Sequence, residues 1–393
     1  MWLIPLACAV ILVAGIVEWR QHQKHINAIP IRVNVNGIRG KSTVTRLITG
    51  ILTEAKYKTV GKTTGTAARM IYSFQDEEEP IKRRPEGPNI SEQKRVVQKA
   101  AKLDADALVS ECMAVTPDYQ IVFQERMLRG NIGVIVNVLE DHMDVMGPTL
   151  DEIAEAFTAT IPYNGRLVIS EGPYVDYFKR VARDRNTKVT VVKPGTVSDD
   201  FLKKFEYMVF PENAALALGV ARALGIKKEV ALQGMLNAHP DPGALRILPL
   251  GNPDEPAYFV NAFAANDAAS TLNIWDRVVS LGYPKEKPVV IMNCREDRVD
   301  RSEQFAEDVL PHLPIDTLVL IGETTDPIKR AYESGKIKAN EVLDLNAQSV
   351  DKIIEAIQGA FADRVLFGVG NIHGAAEPLI EKLHELKLKQ RVS

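Results

Sequence analysis

Cysteine is scarce. Cys8, Cys112 and Cys294 are odd in number, far apart and never in CxxC pairs. Neither a disulfide framework nor a zinc knuckle is encoded, and the usage reads as that of a reducing compartment. An excess of positive charge is missing too. Lys plus Arg number 48 against 51 Asp plus Glu, a formal net charge of −3. That leaves no basic footprint for duplex nucleic acid, which is not an expected partner. Glycine (25) and proline (22) are near average usage, so collagen-like, low-complexity and wholly disordered classes are excluded. What remains is a globular chain with 46% hydrophobic and 25% charged residues. At about 150 residues per domain, its 393 residues make two to three domains.

Only one apolar run is long enough to matter for a membrane. Residues 1–17 carry no charge, and the run ends in Glu18, Trp19 and Arg20 with Lys24 close behind. A cleaved signal peptide would open with a basic region and close with small residues, whereas here the positive charges follow the run. An uncleaved single-pass anchor is therefore expected, short for a span, with Trp19 at the interface and everything after Arg20 in the cytoplasm. A buried helix of the soluble body is the alternative.

Between residue 31 and about 238, strand-like runs alternate with helical patterns, which predicts an α/β fold with a mainly parallel sheet. Strands are expected at 31–35, 107–110, 131–139, 166–170 and 188–192, and helices at 43–55, 91–103, 151–160 and 213–224. The charged stretch 76–88 reads as a solvated loop. HPDPG at 239–243 reads as a domain break, after which AYFVNAF, PVVIMN, TLVLIG and RVLFGVG alternate with helices at 268–280, 302–310 and 350–360. The expected division is an anchor and juxtamembrane segment at 1–28, a central α/β domain at 29–240 and a smaller Rossmann-like α/β domain at 241–393. Ligands should gather at the C-terminal ends of the strands.

The strongest chemical signal is Gly37-Ile38-Arg39-Gly40-Lys41-Ser42-Thr43, directly after a predicted strand. Behind it Val44, Leu47, Ile48, Ile51 and Leu52 share one helical face. Strand, glycine turn and helix N-terminus form a phosphate cradle in which backbone N–H groups converge on the anion, Lys41 adds charge and Ser42 can hold Mg²⁺. Val35 stands where the strict GxxxxGK[ST] pattern has its first glycine. A second GKT, Gly61-Lys62-Thr63 running into Thr64-Gly65-Thr66, has no helical face behind it and reads as a substrate-side loop, with Thr64 as a substrate contact. Glu111 closes a strand and suits a Mg²⁺ ligand. Glu140-Asp141-His142-Met143-Asp144 clusters three carboxylates and an imidazole after another strand, and a solvated acidic turn is its other reading. Arg298 and Arg301 in DRVDR could meet phosphate or carboxylate oxygens, or pair on the surface. His373 is read as structural.

The segments 37–43, Glu111, NVLEDHMDVMG (137–147), Asn213 with ALALGVARALGI, and DRVDR resemble the ATP-dependent Mur ligase superfamily with folylpolyglutamate synthetases. The anchor and KTTGTAARM extend the resemblance end to end to the ligase subunits of bacterial poly-γ-glutamate (capsule) synthases. The resemblance implies an amide ligase using ATP and Mg²⁺. It puts Gly37, Gly40, Lys41, Ser42 and Thr43 at the nucleotide, Lys41, Glu111 and His142 in catalysis, and Ser42, Glu111 and His142 at the metal. Asn213 would lie near the adenine and Arg246 would reach the nucleotide phosphates. It also implies glutamate and the growing polymer as substrates, other membrane subunits as partners, a plasma-membrane location and a possible homo-oligomer. A nucleotide-dependent switch or motor in a membrane complex is the alternative. Three departures stand out. The N-terminal sugar-nucleotide domain of Mur enzymes is absent. No lysine occurs from Met143 through Phe178, so a second metal would be held otherwise. Ala262-Phe263-Ala264-Ala265 replaces the usual Asp-Tyr-Ala-His run.

Overall fold

The computed structural model describes residues 3–64, 68–83, 89–241, 244–265 and 267–387. Gly65 and Thr66 of the second GKT reading, 84–88 of the charged stretch and 242–243 of the HPDPG break lie outside the described residues. The chain forms two compact units, one of residues 1–205 and 209–242, the other of residues 206–208 and 243–393.

Among the described residues, the first unit has one sheet built from β1 (Ile31–Asn36), β2 (Thr59–Lys62), β3 (Arg69–Tyr72), β4 (Glu79–Pro80), β5 (Ala107–Glu111), β6 (Ile132–Ile135), β7 (Arg166–Ser170) and β8 (Lys188–Val192). Their order is β4-β3-β2-β5-β1-β6-β7-β8. The six strands from β2 to β8 in that order pair in parallel, while β3 and β4 add antiparallel at one edge. Central β5 is buried along its whole length and opens on an apolar run, whereas β1 alternates buried Val33 and Val35 with buried Asn34 and Asn36. Helix α2 (Lys41–Glu54) buries Val44, Leu47, Ile48, Ile51 and Leu52, the stripe its periodicity predicts. It packs against the helix Lys228–Leu236 so closely that a Cβ on Gly50 would lie 2.3 Å from Gly234 O.

In the second unit, β9 (Ile247–Asn252), β10 (Glu255–Asn261), β11 (Val289–Cys294), β12 (Ile315–Gly322), β13 (Ala339–Asp344) and β14 (Val365–Gly370) form a sheet in the order β13-β12-β11-β14-β10-β9. All neighbours are parallel except β9, which runs antiparallel to β10. Leu248, Leu250, Phe259, Phe263, Ile291, Val319, Leu366 and Leu379 form its core.

The structure revises several sequence readings. Gly61 and Lys62 are not loop residues but the buried end of β2, and Thr63 is buried beside them. β2 receives its ladder from β5, a long-range pairing that local pattern cannot report. The charged stretch is not wholly solvated, because Glu79–Pro80 pairs with β3 and Glu78 reaches buried Arg46. The strand expected at 131–139 stops at Ile135, freeing the residues after it to form the site. Edge strands β9 and β13 carry too little apolar alternation to announce themselves.

Helix α1 (Leu3–Asn27) is long and apolar enough to cross a membrane. Ile4, Leu6, Ile11, Leu12 and Val13 on it are exposed. Its last turns are different in kind. His22 and Ile26 are buried, His22 Nε2 lies 3.0 Å from Met127 O, and Ile26 joins a core with Ile29, Val60, Val97, Leu108 and Phe123. Helix α1 therefore ends as a core element of the first unit. Deleting residues 1–17 should leave the unfolding midpoint of the water-soluble product unchanged from a version cut just before Arg20. Deleting 1–28 should lower it by at least about 5 °C, because a fully buried Ile and its neighbours are lost. Thermal melts of the truncations check this, and equal midpoints would refute the packing role.

Candidate active site

The cradle is built where β1 ends. Val35 is fully buried and in register with Glu111 on one side and Val134 on the other. It is thus a ladder residue, and the turn starts two positions later than in the strict motif. Gly37 takes φ +136°, and a Cβ there would meet Val136 Cβ at 3.0 Å. Gly40 takes φ +83° at the N-terminus of α2, where a Cβ would lie 2.7 Å from Asn213 Oδ1. Both positions lie in the left-handed region that glycine alone occupies without strain. One side chain that the sequence reading did not single out shapes the turn. Asn137 Oδ1 accepts from the N–H groups of Ile38 and Arg39, both at 3.1 Å, and its Nδ2 donates to Arg39 O at 2.9 Å. An Asn just past an apolar strand, facing a glycine turn, was the available signal.

Lys41 opens α2 and folds back on the turn, its Nζ donating to Gly37 O at 2.8 Å and Ile38 O at 2.9 Å. Burial holds its pKa below the usual lysine value, opposed by the Glu111 carboxylate. Thr43 follows in the first turn of the helix. Glu111, 3% exposed, gathers the neighbouring groups. Ser42 Oγ donates to its Oε2 at 2.9 Å, Thr64 N to the same oxygen at 2.9 Å, and Thr64 Oγ1 to Oε1 at 2.5 Å. Thr64 therefore belongs with Ser42 and Glu111. Close by is Lys62, fully buried at the end of β2, 3.3 Å from Glu92 Oε1. Burial lowers its pKa, against the pull of Glu92 and then Glu111. Beyond Glu111, burial pushes the Cys112 thiol up to about 11.

A carboxylate and two hydroxyls are hard oxygen donors, the set that Mg²⁺ takes alongside phosphate and water, so Ser42, Thr64 and Glu111 fit that ion. His142 stands apart in kind. It is half exposed, in the left-handed region at the start of the short helix Met143–Met146, with Nδ1 3.9 Å from Asp141 Oδ1. Among the described residues no group of three or more His, Cys, Asp and Glu side chains is gathered. Asp141 itself pairs with Arg39 of the turn at 3.5 Å. Asn213, buried in the first turn of the helix Pro211–Ala223, has its carboxamide against Gly40.

The second unit holds its own cleft, about 700 Å³, at the C-terminal ends of β11 and β12, lined by Arg295, Glu296, Asp297, Gly322 and Glu323 among others. The guanidinium at this cleft is that of Arg295, which pairs with Asp297 at 2.8 Å. Arg298 is exposed on the short turn Glu296–Arg298, and Arg301 donates to Asn371 Oδ1 at 3.0 Å. Arg246 lies just before β9, close enough to His384 to lower that imidazole's pKa, although burial is the larger cause. Ala262, Phe263 and Ala265 are buried and apolar, with the Phe263 ring against Phe259 and Gly368. That loop has become core.

Comparison with known proteins gives a consistent pattern. Residues 35–239 match the Mur ligase middle domain and residues 247–386 the poly-gamma-glutamate synthase CapB C-terminal domain. The chain is 67% identical to PGA synthase CapB of Bacillus subtilis over 393 residues, 100% of each chain. It is 62% identical to the capsule biosynthesis protein CapB of Bacillus anthracis over 390 residues, 99% of this chain and 84% of that one. Among solved structures, MurF from Acinetobacter baumannii superposes with a TM-score of 0.62 at 15% identity, covering 93% and 78% of the two chains. The bifunctional folylpolyglutamate synthase/dihydrofolate synthase from Yersinia pestis, complexed with AMPPNP and a Mn ion, gives 0.63 at 14% identity, covering 93% and 91%. At such identities the two structures show a shared fold.

Gly40→Ala should weaken nucleotide binding and cost on the order of 1–2 kcal/mol of stability, from the left-handed backbone alone. Lys41→Ala should lower turnover by about 10²-fold or more while the chain still folds, with a lower unfolding midpoint because Glu111 loses a compensating charge. Titration with a fluorescent ATP analogue and thermal melts check both.

Proposed function

Because the chain belongs to the Mur ligase family and, within it, to the poly-γ-glutamate synthase CapB proteins, it is an ATP-dependent amide ligase, and we propose that it polymerises glutamate through side-chain carboxylates by way of an acyl phosphate. The donor carboxylate attacks the terminal phosphorus of ATP, an acyl phosphate forms and ADP leaves. The amine of the next glutamate then attacks the acyl carbon and displaces phosphate. The observation that carries this reading is the junction of a glycine cradle with half-buried Lys41 and the Ser42–Thr64–Glu111 set.

The protein's share of the work is positioning and charge neutralisation. The Gly37–Gly40 turn and the α2 N-terminus aim backbone N–H groups at the phosphates. Lys41 exchanges its two carbonyl partners for phosphate oxygens and offsets the charge that grows on the transferring group. Ser42, Thr64 and Glu111 would hold Mg²⁺, which supplies charge neutralisation at the β- and γ-phosphates, and His142 is the further ligand implied by the family. Asn213, whose carboxamide lies against Gly40, is proposed near the adenine. Arg246 is proposed at the nucleotide phosphates. For the glutamate acceptor, Arg298 and Arg301 remain candidates, and Arg295 joins them because it lines the cleft of the second unit. The exposed apolar part of α1 supports a single-pass anchor in the plasma membrane with both units cytoplasmic, where glutamate, the growing chain, other membrane subunits and further copies of the chain would meet it.

An oxygen-18 label in the donor carboxylate tests the chemistry. ADP should be released, and phosphate should carry one labelled oxygen for each amide formed, only with ATP, Mg²⁺ and glutamate together. Pyrophosphate or labelled AMP would mean an adenylate route. ADP with unlabelled phosphate would mean hydrolysis by a switch or motor and would sink the proposal. Protease added outside sealed cells should spare both units; their cleavage would reverse the orientation.

A further inference from the structure

β1 is the central strand of the first unit, yet two of its buried residues are Asn34 and Asn36, at 1% and 2% exposure. The two-residue period puts both side chains on one face. That face meets the helix Pro117–Val122 and its π-helical continuation Phe123–Leu128, which present buried Gln120 and Gln124 one turn apart. Asn34 Nδ2 donates to Gln124 Oε1 at 2.9 Å. Asn36 Nδ2 donates to Gln120 Oε1 at 2.8 Å and to Thr160 Oγ1 at 2.9 Å.

Backbone groups fix which way three of the four carboxamides point, while Asn34 is held only through Gln124. Asn36 Oδ1 accepts from Gly37 N at 2.9 Å, Gln120 Nε2 donates to Val115 O at 2.7 Å, and Gln124 Nε2 donates to Gly130 O at 2.8 Å. The two pairs are alike in chemistry and burial but end in different places. Asn34–Gln124 ends on Gly130, at the start of the strand region. Asn36–Gln120 ends on the first glycine of the cradle. Gln120 also comes within 3.6 Å of Met146 Sδ, in the short helix that His142 opens. It thus stands behind both the glycine turn and the His142 segment.

Buried carboxamides cost desolvation that apolar side chains of the same size would not, so a paired set in a central strand contributes fixed geometry more than net stability. We propose that Gln120 is a positioning residue for the ATP phosphates, acting through Asn36 on the Gly37 turn; this rests on the reading of the cradle as the ATP site. An Asn36 released from Gln120 no longer holds its oxygen on the Gly37 N–H, and the turn whose amides meet the phosphates loses its fixed pitch.

The test compares Gln120→Met with Gln124→Met in the full chain in detergent, since methionine keeps volume and chain length while removing the amide. Both variants should lower the unfolding midpoint similarly. Only Gln120→Met should raise the Kd for a fluorescent ATP analogue and KM for ATP, about tenfold, as expected for one lost positioning contact. Gln124→Met should stay within about twofold of the parent. If Gln120→Met does not fold, Thr160→Val, which removes the second acceptor of Asn36 Nδ2, should give the same rise. Unchanged nucleotide affinity in a folded Gln120→Met or Thr160→Val protein, or an equal rise in Gln124→Met, overturns the proposal alone. A parent that binds no ATP analogue overturns the cradle reading and the proposal together.

Discussion

A carboxylate at the buried end of a central strand is the constraint around which the first unit is arranged. Glu111 is almost inaccessible, and an ion in that position is tolerable only with partners on every side. Ser42 and Thr64 supply hydrogen bonds, while Lys41 and Lys62 supply opposite charge from two different elements. Lys62 in turn is fully buried and needs the carboxylates of Glu92 and Glu111, while Lys41 is half-buried. Hydrogen bonds from Ser42 of α2 and Thr64 after β2 thus tie both elements to Glu111 at the end of β5, and β2 and β5 share a ladder besides. The Glu111 carboxylate is desolvated and oriented by the chain's own groups.

A second ordering runs along one helix. The Pro117–Val122 helix and its π-helical extension meet the Gly37 turn through Gln120 and Asn36. At the other end of the extension, the carbonyls of Arg126 and Met127 face His22 of α1. Arg32, on β1, donates to Arg129 O and to the carbonyls of Ile26 and Ile29 where α1 runs into the sheet. The apolar helix and the Gly37 turn thus meet opposite ends of the same helical segment. π-helical turns are uncommon and concentrate at functional sites, and this one lies where the chain must match the pitch of two partners at once.

Much of the fold was legible in the chain. Residues 166–170 and 188–192 fold as the strands that their alternation predicts, and the α2 stripe is buried as its period requires. Legibility failed where an element owes its state to a distant neighbour. β2 looks like a glycine-lysine loop because its second half, Gly61-Lys62, is a poor strand former, and it is a strand because β5 and β3 pair with it. Edge strands β9 and β13 escape for the same reason. In the candidate site, Lys41 and Ser42 were singled out because strand, glycine turn and helix N-terminus leave a local signature, and Glu111 because it closes an apolar strand. Asn36, Lys62 and Asn137 were not, because their roles depend on groups tens of residues away in sequence: Gln120, Glu92 and the Ile38–Arg39 amides.

The sequence by itself determined what depends on neighbours along the chain. That includes an apolar run long enough for a membrane, alternating α/β units, two glycines set to turn a strand into a helix, and a lysine and serine at that helix's first turn. Only the tertiary structure decided that the apolar helix ends inside a core, that Thr64 shares Glu111 with Ser42, and that Arg295 lines the cleft of the second unit while Arg301 is held by Asn371. The physical reason is one of range. Helix period and turn conformation are set by sterics over a few residues, whereas burying a charge requires a partner that the chain brings back from far away.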